Sequence, residues 1–174
     1  ARTLGRAWDG VNTAHLAAIA AAVEGHGGVV VRTEGDALFG AFGEAGAGAS
    51  AASEAQRALH EGDWGVPGGL RVRMGLHSGE AHRAGDDYGG FEVSRAARIA
   101  AAGHGGQIVV SEATAALIAD QLPRGTRLDD LGTHRLRDVP RPEHLFQLTV
   151  DGLPSPSCRP DSGQPTRAGS SGRR

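Results

Sequence analysis

Leu4, Trp8, Val11, Leu16, Ile19 and Val23 recur at helical spacing, and His26-Gly27-Gly28 closes this stripe with glycines where a C-cap would sit. The period then shortens. Val29-Val30-Val31 is a β-branched run, Thr33-Glu34-Gly35-Asp36 reads as a tight turn, and Ala37 to Phe42 reads as the returning strand of a hairpin. Glu44 to His60, rich in alanine and glutamate, predicts a helix softened by Gly46 and Gly48. After a loop from Asp63 to Gly69, Leu70 to His77 alternates apolar and basic residues as a half-buried strand does. A turn and loop fill Gly79 to Gly90. A helix follows from Phe91 to Ala102, with Val93, Ala96, Ala97 and Ile99 on its inner face. Gln107-Ile108-Val109-Val110 predicts a short buried strand. Ser111 reads as the N-cap of a helix from Glu112 to Leu122, which Pro123 ends. Two last strands, near Gly132–Arg137 and His144–Val150, bracket the turn at Pro140-Arg141-Pro142.

The order αββαβαβαββ describes an α+β sandwich, one mixed sheet with helices packed on it. Composition sharpens the outline. Aromatic residues make up only 4% of the chain, so the core rests on Val, Leu, Ile and Ala. From Asp151 onward Pro, Ser, Gly and Arg dominate, which predicts a disordered tail or linker over 151–174 behind a folded domain over 1–150. A formal charge of −2 gives no bulk attraction to nucleic acid or to an anionic membrane, and no apolar run approaches the roughly 20 residues that a membrane span requires. A single cysteine, Cys158, allows no internal disulfide and fits a reducing cytoplasm. The eight histidines have no zinc-type spacing and read as surface or capping residues.

Three groups of residues carry candidate chemistry. In Arg32-Thr33-Glu34-Gly35-Asp36, a hairpin turn presents a carboxylate on a rigid support, a placement suited to Mg²⁺, although polar hairpin turns of this kind are also common without any ligand. In the stretch from Asp86 to Ile99, Ser94 and Arg98 lie four apart and share a helix face, where the arginine could meet a phosphate with bidentate geometry or simply make surface ion pairs. In Leu131 to Asp138, Arg135 and Arg137 would share one side of a strand, which an edge strand blunted by charge explains equally well.

Taken together, the order and spacing of these motifs are specific. With His26-Gly27-Gly28, Arg71 to Glu80, Asp87 to Arg98, His104 to Ile108 and Leu145-Phe146-Gln147-Leu148, they resemble a bacterial class III adenylate/guanylate cyclase catalytic domain over roughly Ala1 to Leu148. The resemblance implies the ferredoxin-like nucleotide cyclase sandwich, and a Mg²⁺- or Mn²⁺-dependent conversion of ATP, or of GTP, to a cyclic monophosphate and pyrophosphate. It implies Asp36 as one of two metal-binding aspartates. Arg32 stands where the family commonly has a purine-reading lysine, and Asp87 matches the partner reading position, with Asp86 one place away. Arg98 matches the transition-state arginine. Ser94 stands at the position of its asparagine companion. Arg137 matches a basic residue on the terminal phosphates. The family's first strand, with the other metal aspartate, has no counterpart in Ala1 to Asp9, so the sheet is expected to lack that member. The resemblance further implies a head-to-tail homodimer with Asp36 from one copy and Asp87, Ser94, Arg98 and Arg137 from the other, and regulatory domains downstream. The alternative is a degenerate cyclase domain serving dimerisation or nucleotide sensing, suggested by Arg32, Ser94 and the absent aspartate. A nucleic-acid-binding α+β domain is disfavoured by the acidic balance and the lack of strand aromatics.

Overall fold

The computed structural model describes residues 2–66, 69–85 and 87–154, with the side chains of 2–7, 83, 84 and 87 outside that description. Helix α1 spans Arg2–Gly25, followed by strands β1 (Val29–Glu34) and β2 (Ala37–Ala41), helix α2 (Ala45–Glu61) and strand β3 (Met74–Leu76). Strands β4 (His82–Ala84) and β5 (Asp87–Gly89) precede helix α3 (Phe91–Ala102), strand β6 (Ile108–Ser111), helix α4 (Glu112–Ile118), and strands β7 (Thr126–His134) and β8 (Glu143–Val150). The main sheet has the order β3-β6-β8-β7, with β3 parallel to β6 and the other pairs antiparallel. The hairpins β1–β2 and β4–β5 each form a two-stranded sheet of their own.

The two faces of the main sheet follow from the period of two along each strand. Ile108 and Val110 of β6, with Leu148 and Val150 of β8, pack against Ala49 and Ala52 of α2 and Ala115 and Ile118 of α4. The alternate residues Val109 and Leu145 pack with Ile99 and Ala102 of α3 and with Leu136 and Val139. Burying each of these Leu, Ile and Val side chains contributes roughly 1.5–3 kcal/mol. The small residues of α2 and α3 let the helices lie close to the sheet. At Gly75, which pairs in register with Val109, an added Cβ would stand 2.4 Å from the backbone N of Ala100.

The α+β sandwich of the sequence reading is present, and Ser111 caps α4 by accepting the Thr114 amide at 3.3 Å. Several boundaries differ. The strand expected over Leu70–His77 is regular only at Met74–Leu76, opposite Ile108 to Val110 of β6, with one further backbone bond upstream from Gly106 N to Val72 O at 2.9 Å. The segment expected as a loop before α3 holds the β4–β5 hairpin. Helix α4 stops at Ile118, short of Leu122, and the strand expected at Gly132–Arg137 runs instead from Thr126 to His134. Its pairing with β8 extends upstream past a bulge between Asp130 and Gly132 and ends at His134↔Glu143. Arg135 and Arg137 therefore do not alternate on a strand; both are exposed beyond its end. The histidine expectation also fails in part. His15 and His134 are buried, and the His77 side chain is 4% exposed. The tail expected over 151–174 falls outside the described residues beyond Pro154. Asp151 itself is tied to the domain, its amide donating to Gly125 O at 2.8 Å and its carbonyl accepting from Arg57 at 3.1 Å. Among the described residues no helix is long and apolar enough to cross a membrane.

Candidate active site

The turn between β1 and β2 needs a left-handed residue, and Gly35 supplies it at φ 62°. This puts Asp36 at the tip, exposed. Two side chains of α1 brace the turn from behind through its backbone. Asn12 Nδ2 donates to Gly35 O at 3.3 Å, and His15 Nε2 donates to Asp36 O at 3.2 Å. The carboxylate is left for other work. Arg32, on β1, pairs through Nε with Glu34 at 3.2 Å and lies 5.3 Å above the Phe39 ring. A groove of roughly 1200 Å³ opens between the β1–β2 hairpin, α1, α2, β3 and the inner face of α3, and Arg32, Glu34 and Asp36 line it.

Ser94 and Arg98 sit on α3, Ser94 exposed and Arg98 partly so. Arg98 donates to Asp138 Oδ2 at 2.6 Å, and Arg137 Nε lies 3.6 Å from the same oxygen. Asp138 adopts φ 59°, the left-handed region that Asp tolerates better than most residues. One carboxylate thus stands beside two guanidinium groups at the end of β7. Sequence spacing gave no sign of this cluster, since Asp138 lies 40 residues from Arg98. Asp87 lies on β5 with its backbone paired to Ala84, while its side chain and the whole of Asp86 are outside the described residues.

The expected site residues therefore fall into two groups. Arg32 and Asp36 share the groove, whereas Ser94, Arg98 and Arg137 are not among the residues that line it. Among the described residues, no three His, Cys, Asp or Glu side chains converge as a metal cage. Asp36 fits as a single carboxylate ligand for Mg²⁺ or Mn²⁺, ions usually held by one or two carboxylates plus substrate phosphates. A second protein ligand is not supplied by this group.

At the first turns of α3 lies a polar network that the sequence reading did not single out. Glu92 accepts from His77 Nε2 at 2.5 Å and from Arg95 at 3.1 Å. The His77 hydrogen bond holds the Glu92 carboxyl below its ordinary value near 4.5; partial burial opposes this, and Arg95 reinforces it. A depressed carboxylate stabilises the fold above its unfolded value, and that contribution is lost as pH falls through the folded value. Urea unfolding at about pH 6 and about pH 3 is therefore expected to lose more stability in wild type than in Glu92→Gln.

A mixed sheet with helices on both faces, a carboxylate on a Gly-Asp hairpin and an arginine-bearing helix beside a basic turn match the arrangement that the resemblance to nucleotide cyclase domains implies. Comparison with solved structures agrees. The chain superposes on an adenylate cyclase of Trypanosoma brucei with TM-score 0.75, at 22% identity over 89% of this chain and 84% of that one. It superposes on an adenylate/guanylate cyclase/hydrolase of Silicibacter pomeroyi with TM-score 0.69, at 28% identity over 76% and 77% of the two chains. An uncharacterized protein of Mycobacterium tuberculosis is 39% identical over 145 residues, 82% of this chain. The chain spans about half the length of this relative, 45%. No family model matches. The chain thus has the fold of class III adenylate/guanylate cyclase catalytic domains and is similar to them in sequence.

Proposed function

We propose that this domain converts ATP to 3′,5′-cyclic AMP and pyrophosphate in the cytoplasm, at a site shared by two head-to-tail copies. The observation that carries the proposal is the separation of the two residue groups. Asp36 lines the groove while Ser94, Arg98 and Arg137 do not, which supports a site that a second copy completes. In a C2 pair the same surfaces would complete two equivalent sites.

Within such a site Arg98 stabilises charge developing on the transferred phosphate, exchanging its Asp138 partner for phosphate oxygens. Arg137, 85% exposed and only 3.6 Å from that carboxylate, reaches the terminal phosphates. The Ser94 hydroxyl orients the ribose, and Asp87 accepts from the adenine amino group. A divalent ion on Asp36, completed by a carboxylate from outside this group, would neutralise the triphosphate and favour ionisation of the attacking hydroxyl.

A second reading, a catalytically impaired domain for dimerisation or nucleotide sensing, is favoured by one observation. All three expected nucleotide-facing arginines are already ion-paired within the chain, Arg32 with Glu34, and Arg98 and Arg137 with Asp138. The assay that separates the readings uses the longest natural chain containing the domain, with ATP and Mg²⁺ or Mn²⁺, and follows cyclic AMP and pyrophosphate together. Equimolar products support the enzyme; nucleotide binding without either product supports the second reading. Serine is shorter than asparagine and offers one donor, so Ser94→Asn is expected to raise kcat about tenfold. An unchanged or lower kcat would remove Ser94 from the ribose-orienting role.

A further inference from the structure

Helix α3 is held to the sheet in two different ways along its length. Its buried residues, Ile99 and Ala102, both lie in the C-terminal third. Its N-terminus has no side-chain cap, since Gly90 occupies the cap position. The first two turns, which carry Ser94 and Arg98, are instead tied down by a chain of polar contacts. His77, just past the end of β3, has its Nδ1 2.9 Å from Ser111 Oγ and its Nε2 2.5 Å from Glu92 Oε2. A carboxylate only accepts, so Nε2 carries the hydrogen. Ser111 Oγ also accepts the Thr114 amide and lies 3.1 Å from Thr114 Oγ1, which is 3.0 Å from Ser78 Oγ. From Glu92 the chain continues to Arg95, and from Arg95 to Glu143 of β8 at 2.8 Å.

We propose that His77 is a positioning residue, clamping the first turn of α3 between β3 and the cap of α4 so that the outward-facing Ser94 and Arg98 hold one orientation. The small residues Gly75 and Ala100 permit close approach of the helix without keying its rotation. A buried imidazole with one fixed donor and a fixed partner on each side does key it. The consequence for turnover rests on the cyclase reading; the clamp itself does not.

Amide hydrogen exchange across α3, with no nucleotide present, tests the clamp in His77→Ala and in His77→Gln, whose amide can still donate to Glu92. In His77→Ala the amides of Ser94 to Arg98 are expected to exchange about tenfold faster, while Ile99–Ala102 and β6–β8 keep their protection. His77→Gln is expected to restore most of it. If the protein turns over ATP, kcat falls about tenfold in His77→Ala with KM little changed, and His77→Gln recovers it. Unchanged exchange in α3, or faster exchange spread evenly over the domain, would overturn the proposal. An inactive wild type would sink the cyclase reading alone, because the exchange pattern still decides the clamp.

Discussion

Alanine at position 75 is expected to destabilise the domain by about 3 kcal/mol, a large share of the 5–15 kcal/mol typical of a folded domain. The added Cβ would lie 2.4 Å from Ala100 N and 2.7 Å from Ala100 Cα, both backbone atoms of a helix. No side chain can rotate aside. The helix must move off β3, and that loosens Ile99 against Val109 and Leu145. A glycine-to-alanine change also trims unfolded-state entropy by about 0.4–1 kcal/mol, which offsets only part of the clash. Gly46 provides the internal comparison. It lies in α2 with nothing within 4 Å of its would-be Cβ, so Gly46→Ala is expected to stabilise by about 0.5–1 kcal/mol. The same chemical change should thus shift the urea midpoint in opposite directions at the two sites with slopes unchanged. A Gly75→Ala midpoint equal to that of wild type would mean that α3 does not rest on β3 as described.

Asp36→Ala is expected to remove cyclic nucleotide formation by about a thousandfold, corresponding to roughly 4 kcal/mol of lost charge stabilisation. The fold should hardly notice. The bonds that brace the turn reach the carbonyls of Gly35 and Asp36, which alanine keeps, and exposed substitutions of this kind stay within about 0.5 kcal/mol. Activity and unfolding measured on one preparation therefore separate the metal role from a structural one. Comparable turnover in Asp36→Ala and wild type would refute the assignment. A loss of activity that tracks a loss of stability would point to the turn and not to the carboxylate.

What was legible in the sequence was what is local. The stripe ending at His26-Gly27-Gly28, the Gly35 turn and the Ser111 cap each depend on residues a few positions apart, and all appear where expected. Strand β7 was missed at its start because Thr126-Arg127-Leu128-Asp129-Asp130 has poor strand composition, and only its pairing with β8 makes it extended. The same holds for the site. Asp36 could be found from its turn, but the partners of Arg98 and His77 are 40 and 34 residues distant. Burial of His15 and His77 was invisible for that reason: a histidine inside a protein is explained by partners that pattern cannot supply.

The two outer strands of the main sheet are unlike in a way that governs how the domain behaves in concentrated solution. Strand β7 is nine residues long and carries Arg127, Asp129 and Asp130, charges that repel an incoming chain. Strand β3 is the other rim, three residues of Met-Gly-Leu without a charge. Self-association by strand addition would therefore begin at Met74–Leu76 and not along β7.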